Sequence, residues 1–306
     1  MAKPLRIGSM IETDKPLSDV VALLQRYKDA GLDHAFASQI FGPDALTLLA
    51  VAGSQVPGIG LGTGVVPVYP RHPMMLAQQA LTVQMATENR LLLGIGLSHQ
   101  VVVENMWGMS FERPAAYMRE YLTALMPLLR GETVHCEGER VTTNAFAPLD
   151  ISDVEAPPVL VAALGDTMLK LTGRLADGTI TWMTGTGTIG DHIAPTITAA
   201  AEAARRTAPR IVVSLPISVT NDTDAARERI NAAFSIYPNL PSYRAMLDKE
   251  GAEAAGDIAF IGDEEAVEAS IVRLADAGAT DFVAAVIGDT AEQARGLALL
   301  SELAKA

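Results

Sequence analysis

The sequence predicts a (β/α)8 barrel, and three observations carry that expectation. Apolar β-type runs alternate with segments of helical period along almost the whole chain, the pattern of a parallel sheet wrapped by helices. Eight such runs can be counted, which is the number that closes a barrel; an open doubly wound sheet more often has about five to seven. Two of them, in LGTGVVPVYPRHP (Leu61 to Pro73) and LLLGIGLSHQ (Leu91 to Gln100), break into glycine or small polar residues at their C-terminal ends. Barrels gather their ligand-contacting loops at those ends, so the two runs are expected to finish at one shared site.

Taken in order, the expected strands are Leu5 to Ile11, His34 to Ser38, Ile59 to Val65, Leu91 to Leu97, Pro158 to Leu164, Thr179 to Met183, Ile211 to Thr220 and Asp281 to Ile287. The first helix is expected over Ser18 to Ala30, with Ser18 as its cap and Gly31 as its stop. A helix over Glu264 to Ala277 has acidic residues in its first turn and closes on Gly278, completing a helix-to-strand unit with the last strand. Gly62 and Gly64 interrupt the third strand, and glycine there marks a bulge or a close approach of backbone to ligand. Two stretches break the alternation and are expected to be insertions, at about 100–157 and 237–256. The first contains a helical run, Ala115 to Leu129, and a hairpin around Glu137 and Gly138; the second opens with Pro238 and Pro241. One domain over residues 1–306 is the simplest description.

The net charge of −13 argues against nucleic-acid binding, which depends on basic residues displacing phosphate counterions. No apolar stretch reaches the roughly 20 residues that span a bilayer, so no membrane partner is expected. The N-terminus lacks the pattern of a secretory signal, and the single cysteine, Cys136, excludes an internal disulfide; both point to the cytoplasm. An anionic ligand would have to be held locally, by backbone N–H groups at a helix N-terminus or by scattered arginines such as Arg71.

In VAALGDTM (Val161 to Met168) a strand ends in small residues and Gly165 opens a helix, so a phosphate could approach the first N–H groups. The same residues equally suit a tight turn capped by Asp166 or Thr167. GIGLSH (Gly94 to His99) looks superficially like a dinucleotide fingerprint, but the third glycine and the ribose-binding acid are missing. His99, just past a strand end, faces the barrel mouth and could exchange protons near neutral pH, or could simply cap a helix. His72, before a proline, suits a structural role. Trp182 and Met183 end the sixth strand and could wall a flat ring, or be core. His34, His135 and His192 are expected at surface or strand-start positions, and no histidine pair has metal-ligand spacing, so no metal is expected. No GxSxG elbow, HExxH or P-loop appears.

GTGVVPVYPRHPMMLAQQALTVQ, NRLLLGIGLSHQVVVENMWGM, ERPAAYMREYLTALMPLLRGE and ADGTITWM together resemble the luciferase-like monooxygenase superfamily, most closely its coenzyme F420-dependent oxidoreductase branch. The resemblance implies a (β/α)8 barrel with insertions, a homodimer, and a flavin or deazaflavin at the strand C-termini. It further implies that Thr63, Gly64 and Val65 form a bulge behind the ring, with a cis peptide at Gly64–Val65. Gly96, Leu97, Ser98 and His99 would then meet the ring edge, and Ala162, Ala163, Leu164, Gly165, Asp166, Thr167 and Met168 the phosphate tail. Asn89-Arg90 stands where the family usually has Gly-Arg, a mild departure because Asn tolerates left-handed geometry.

The reaction centre departs further. Some F420-dependent sugar-phosphate dehydrogenases of the family carry an Asp-His pair after the second strand and a Glu after the fourth; here those places read Ser38-Gln39 and His99. Gln39 cannot transfer protons, so glucose 6-phosphate oxidation is not expected. The resulting expectation is an F420-dependent oxidoreductase acting on a small organic substrate, with His99 as proton donor and Gln39, Tyr69 and Trp182 on the substrate side. The alternatives are an FMN-dependent monooxygenase, a non-catalytic carrier of flavin or deazaflavin, and, more weakly, a phosphate-sugar isomerase.

Overall fold

Eight parallel strands close on themselves in a computed structural model that describes residues 5–305. Residues 1–4 and 306 of the expected domain lie outside the described residues. The ring runs β1 (Arg6–Ile11), β2 (His34–Ala37), β3 (Gly60–Thr63) with its short continuation β4 (Val66–Pro67), β5 (Leu91–Gly96), β8 (Val159–Val161), β9 (Gly178–Trp182), β10 (Arg210–Val219) and β12 (Asp281–Val286). β12 pairs back onto β1 with Arg6 opposite Asp281, and β9 pairs with β10, so the ring of eight strands closes. All eight expected strands are present. Outside the ring are the antiparallel hairpin β6 (Val134–Glu137) and β7 (Thr142–Ala145), expected from the sequence, and β11 (Phe260–Gly262), which was not.

Side-chain alternation along each strand separates two cores. The larger lies between strands and helices and includes Leu61, Leu93, Ile95, Val161 and Val213. A smaller one fills the barrel itself: Phe36, Leu92, Leu160, Ile180, Val212 and Val283, overlain by the partly exposed Met10 and Val65. A Cβ on Gly62 would lie 2.3 Å from the Phe36 ring, so glycine there makes room for the aromatic plug.

One helix end corrects the expectation and the other agrees with it. The first helix spans Leu17–Asp29 with Pro16 at its N-cap and no side-chain cap, so Ser18 does not serve; Gly31 does end it, at φ 82°. The insertions also need redrawing. Helix Pro114–Leu129 packs between helix Pro73–Ala86 and helix Asp166–Leu175, and is therefore the ring helix that follows β5. The additions on either side of it are 97–113 and 130–158. The second excursion begins right after β10 and runs from 220 to 263, through helices Thr223–Ala233 and Pro241–Glu250, before ring helix Glu264–Asp276. Helical period alone does not reveal which helix lies against the barrel. No helix among the described residues is long and apolar enough to cross a membrane.

Candidate active site

β3 and β5 lie side by side, with Gly62 opposite Leu92; the ladder resumes at Val66 opposite Ile95. Four steps on one strand thus face three on the other, which is a one-residue bulge at Thr63 to Val65. Within it the Gly64–Val65 peptide is cis, as the resemblance leads one to expect. Thr63 ties the bulge down: its hydroxyl donates to the Gly94 carbonyl at 2.7 Å and accepts from the Gly94 N–H at 2.9 Å. Any side chain at 94 would collide with the bulge, since its Cβ would come 1.8 Å from the Thr63 carbonyl. At Gly96 a Cβ would lie 2.7 Å from Val65 Cγ2. On its inner side Gly64 faces Ile180 and Met10, so the bulge roofs the barrel interior.

Gly96 is buried, while Leu97, Ser98 and His99 are half-buried, with Ser98 left-handed at φ 63°. The His99 carbonyl accepts from the N–H groups of Val102 and Val103 and starts the next helical turn. The His99 ring lies 5.8 Å from Tyr243, on helix Pro241–Glu250, so the second excursion reaches the end of β5. Burial lowers the His99 pKa, which favours the neutral imidazole at neutral pH.

Past β8, Ala162, Gly165, Asp166 and Thr167 are exposed, Leu164 and Met168 half-buried and Ala163 buried. Helix Asp166–Leu175 has Gly165 at its N-cap and no side-chain cap, so neither Asp166 nor Thr167 serves as one. Its leading N–H groups are therefore not taken by a capping side chain, which is the condition for holding a phosphate. The Asp166 carboxylate stands 3.5 Å from both Lys170 Nζ and His192 Nδ1. His192 is not on the surface as expected: only 12 % of its side chain is exposed, and its Nε2–H donates to the Leu164 carbonyl at 2.8 Å. It also lines a cleft of about 390 Å³ with Asp191, Thr188, Lys249 and Glu250. Nothing in the sequence pairs residue 192 with residue 164; the wide π-helical turn at Ile189–Ile193 brings them together.

Of the three expected substrate residues, Gln39 is committed elsewhere and Tyr69 is buried with a hydroxyl that has no partner among the described residues. The Gln39 carbonyl oxygen accepts from Arg71 and from the Ala45 N–H, both at 3.2 Å, so this side chain anchors the loop after β2. Arg71 is itself bound to Asp44, which leaves it a neutralised cation rather than a free anion site. Tyr69 is 4 % exposed and stacks on Tyr117 at 4.2 Å, in the layer outside the barrel. Trp182, by contrast, follows Ile180 by one strand period on β9, which puts it on the inward side by alternation, and it also packs against residues of the larger core. Met183 is buried at φ 52°. His72 caps helix Pro73–Ala86, accepting from Met74 N, and bonds the Thr142 carbonyl through Nε2 at 2.9 Å. Asn89 is left-handed at φ 60°, and Arg90 binds the carbonyls of Gly53, Val56, Ile59 and Thr87.

A closed parallel barrel with a bulged third strand, and with a helix N-terminus free of any capping side chain after β8, defines the class: a (β/α)8 barrel with insertions between its strands and helices. The chain belongs to the luciferase-like monooxygenase family, whose model matches residues 1–304. It is 29% identical over 176 residues to a protein of Mycobacterium tuberculosis named for coenzyme F420-dependent oxidoreductase activity, covering 54% of this chain and about half (51%) of that relative's length. With an F420-dependent glucose-6-phosphate dehydrogenase of Nakamurella multipartita it shares 26% over 289 residues, 88% of this chain and 82% of the relative. The fold matches that of the coenzyme F420-dependent tetrahydromethanopterin reductase from Methanopyrus kandleri with a TM-score of 0.81, at 22% identity and 98% coverage of both chains.

Proposed function

We propose that this chain is a coenzyme F420-dependent oxidoreductase acting on a small organic molecule. The observation that carries the proposal is the Thr63–Gly94 clasp behind the cis bulge, which offers a fixed, apolar backing for a planar ring. The uncapped N-terminus at Gly165 suits the tail phosphate, and the relatives named for F420 support the choice of cofactor. When bound, the deazaflavin supplies hydride transfer. The protein's own residues bind and orient: Thr63, Gly64 and Val65 behind the ring, Gly96, Leu97, Ser98 and His99 along its edge, Ala162 to Met168 at the tail. His99 holds the proton at a ring nitrogen and exchanges it with the substrate.

The departure at Gln39 sets this chain apart from a sugar-phosphate dehydrogenase, because its amide is a loop anchor without an acidic proton. An FMN-dependent monooxygenase is the second reading, favoured by the family to which the chain belongs. Titration with F420 and with FMN, followed by cofactor fluorescence, separates them. Micromolar F420 binding with weak FMN binding supports the proposal; the reverse order supports the monooxygenase, and failure of both defeats both. A cofactor that binds but never changes redox state with any reductant or acceptor would instead mark a carrier. The enzyme is proposed to act as a cytoplasmic homodimer, for which light scattering on the purified protein is the direct check.

A further inference from the structure

The mouth of the barrel has an aromatic wall. Ile180 belongs to the barrel interior, and the two-residue period of β9 puts Trp182 on the same side, one step nearer the mouth. In register, Trp182 faces Ser214, which stands one step above interior Val212 on β10. From Trp182 the rings continue without a break: Phe234 at 5.3 Å, Tyr237 at 6.0 Å, Tyr243 at 4.9 Å from Tyr237, and His99 at 5.8 Å from Tyr243. Met10, Val65 and Ile180 belong to the barrel interior on the same inward side.

Within this wall one polar atom is unanswered. Trp182 Nε1 is buried and has no hydrogen-bond partner among the described residues. Burial suppresses the ionisation of Tyr237, while the neighbouring indole N–H favours its phenolate, yet no acceptor among the described residues makes a full hydrogen bond to Nε1. A buried donor without a partner is unfavourable, so a ligand that brings an acceptor gains there. Basic side chains from the loops around the mouth are meanwhile paired with carboxylates: Arg71 with Asp44, Arg140 with Glu112 at 3.0 Å, Arg244 with Asp248 at 2.8 Å. Lys249 lines the cleft with Asp191 and Glu250 instead. An anionic substrate would meet aromatic faces, spent cations and a chain of net charge −13.

We propose that the mouth takes an uncharged, planar, largely apolar molecule carrying a single hydrogen-bond acceptor, and that Trp182 reads that acceptor through its indole N–H. This rests on the oxidoreductase reading only for what happens to the molecule afterwards. The test is equilibrium dialysis of the full chain, with and without F420, against three probes: 2-acetylnaphthalene (ring and acceptor), naphthalene (ring alone) and 2-naphthoate (ring and charge). The expected result is that 2-acetylnaphthalene binds about tenfold more tightly than either of the others. Trp182→Phe should erase its advantage over naphthalene and leave naphthalene itself unchanged. Phe234→Leu should weaken both neutral probes alike and keep the advantage, which guards against a general loss of fold in the first variant. Equal or tighter binding of 2-naphthoate would overturn the proposal, as would an advantage that survives in Trp182→Phe. Displacement of 2-acetylnaphthalene by F420 would also overturn it, since the probe would then occupy the cofactor's place. Failure of the chain to bind F420 at all would defeat the oxidoreductase reading while leaving the order of the three probes to stand by itself.

Discussion

Glu250 and Thr188 are joined twice: the carboxylate of the former accepts from the N–H and from the hydroxyl of the latter, each at 2.6 Å. A third bond comes from the Gly187 N–H at 3.0 Å, so the carboxylate closes the start of the helical run that follows β9. At Gly185 a side chain would exclude it, because a Cβ would lie 2.3 Å from Glu250 Cδ. The last residue of helix Pro241–Glu250 thereby fastens that helix, and Tyr243 with it, against the barrel near His99.

Glu250→Ala should therefore release the second excursion rather than unfold the barrel. Hydrogen bonds to a charged group contribute about 1.5–3 kcal/mol, less where solvent reaches them, so a loss of about 1–2 kcal/mol is expected. Limited proteolysis should cut the 237–256 segment several times faster, and KM should rise more than kcat falls. Unchanged cleavage together with unchanged KM would show that the clasp holds nothing.

Thr63→Val keeps the shape of the side chain and removes both bonds to Gly94. Two buried backbone groups lose their partner, at about 1–3 kcal/mol. F420 affinity should fall about tenfold, a result that calorimetric titration reads directly, while the far-UV circular dichroism stays the same. Gly94→Ala is expected to be worse, because the obstacle is the Thr63 backbone itself.

His99→Ala should lower turnover and leave F420 affinity within a few fold, on the proposal that its ring exchanges a proton and that backbone contacts dominate at the cofactor. Because burial lowers the His99 pKa, the inflection that His99 imposes on the wild-type rate should fall on the acid side of 6.5. Its disappearance in the variant is the accompanying check; equal turnover in both proteins would remove His99 from the mechanism.

The barrel was legible because strand count, strand order and the glycine break at the third strand are properties of local sequence. The exact bulge residues, Thr63, Gly64 and Val65, and the cis bond between the last two came from the family resemblance. What escaped depends on distant partners. The ring position of helix Pro114–Leu129 is fixed by the two helices beside it, and the role of His192 by a carbonyl 28 residues earlier. Gln39 looked like a substrate contact because its place after β2 suited one. Only the fold of the following loop shows that the Ala45 N–H and Arg71 claim its oxygen.

At the opposite, N-terminal pole of the barrel, His34 sets a pH limit on stability. Its ring fills the space that Gly60 leaves open, where a Cβ would lie 2.4 Å from it. Burial, helped by the nearby Arg210, brings its pKa down from 6.5 to about 4. Between those values the unfolded chain binds a proton that the folded chain refuses, so stability falls as pH drops from 6.5 toward 4. The full effect is on the order of 3 kcal/mol, of which about 2 kcal/mol is lost by pH 5. Asp281 acts lower down: although burial opposes its ionisation, hydrogen bonds from Arg6 and Arg210 bring it to about 2, so its contribution disappears only as pH falls from about 4 to 2. Urea unfolding at pH 7 and pH 5 should therefore show the loss in the wild type and only a small one in His34→Gln. Equal slopes in the two proteins would mean that His34 is protonated in the folded barrel after all.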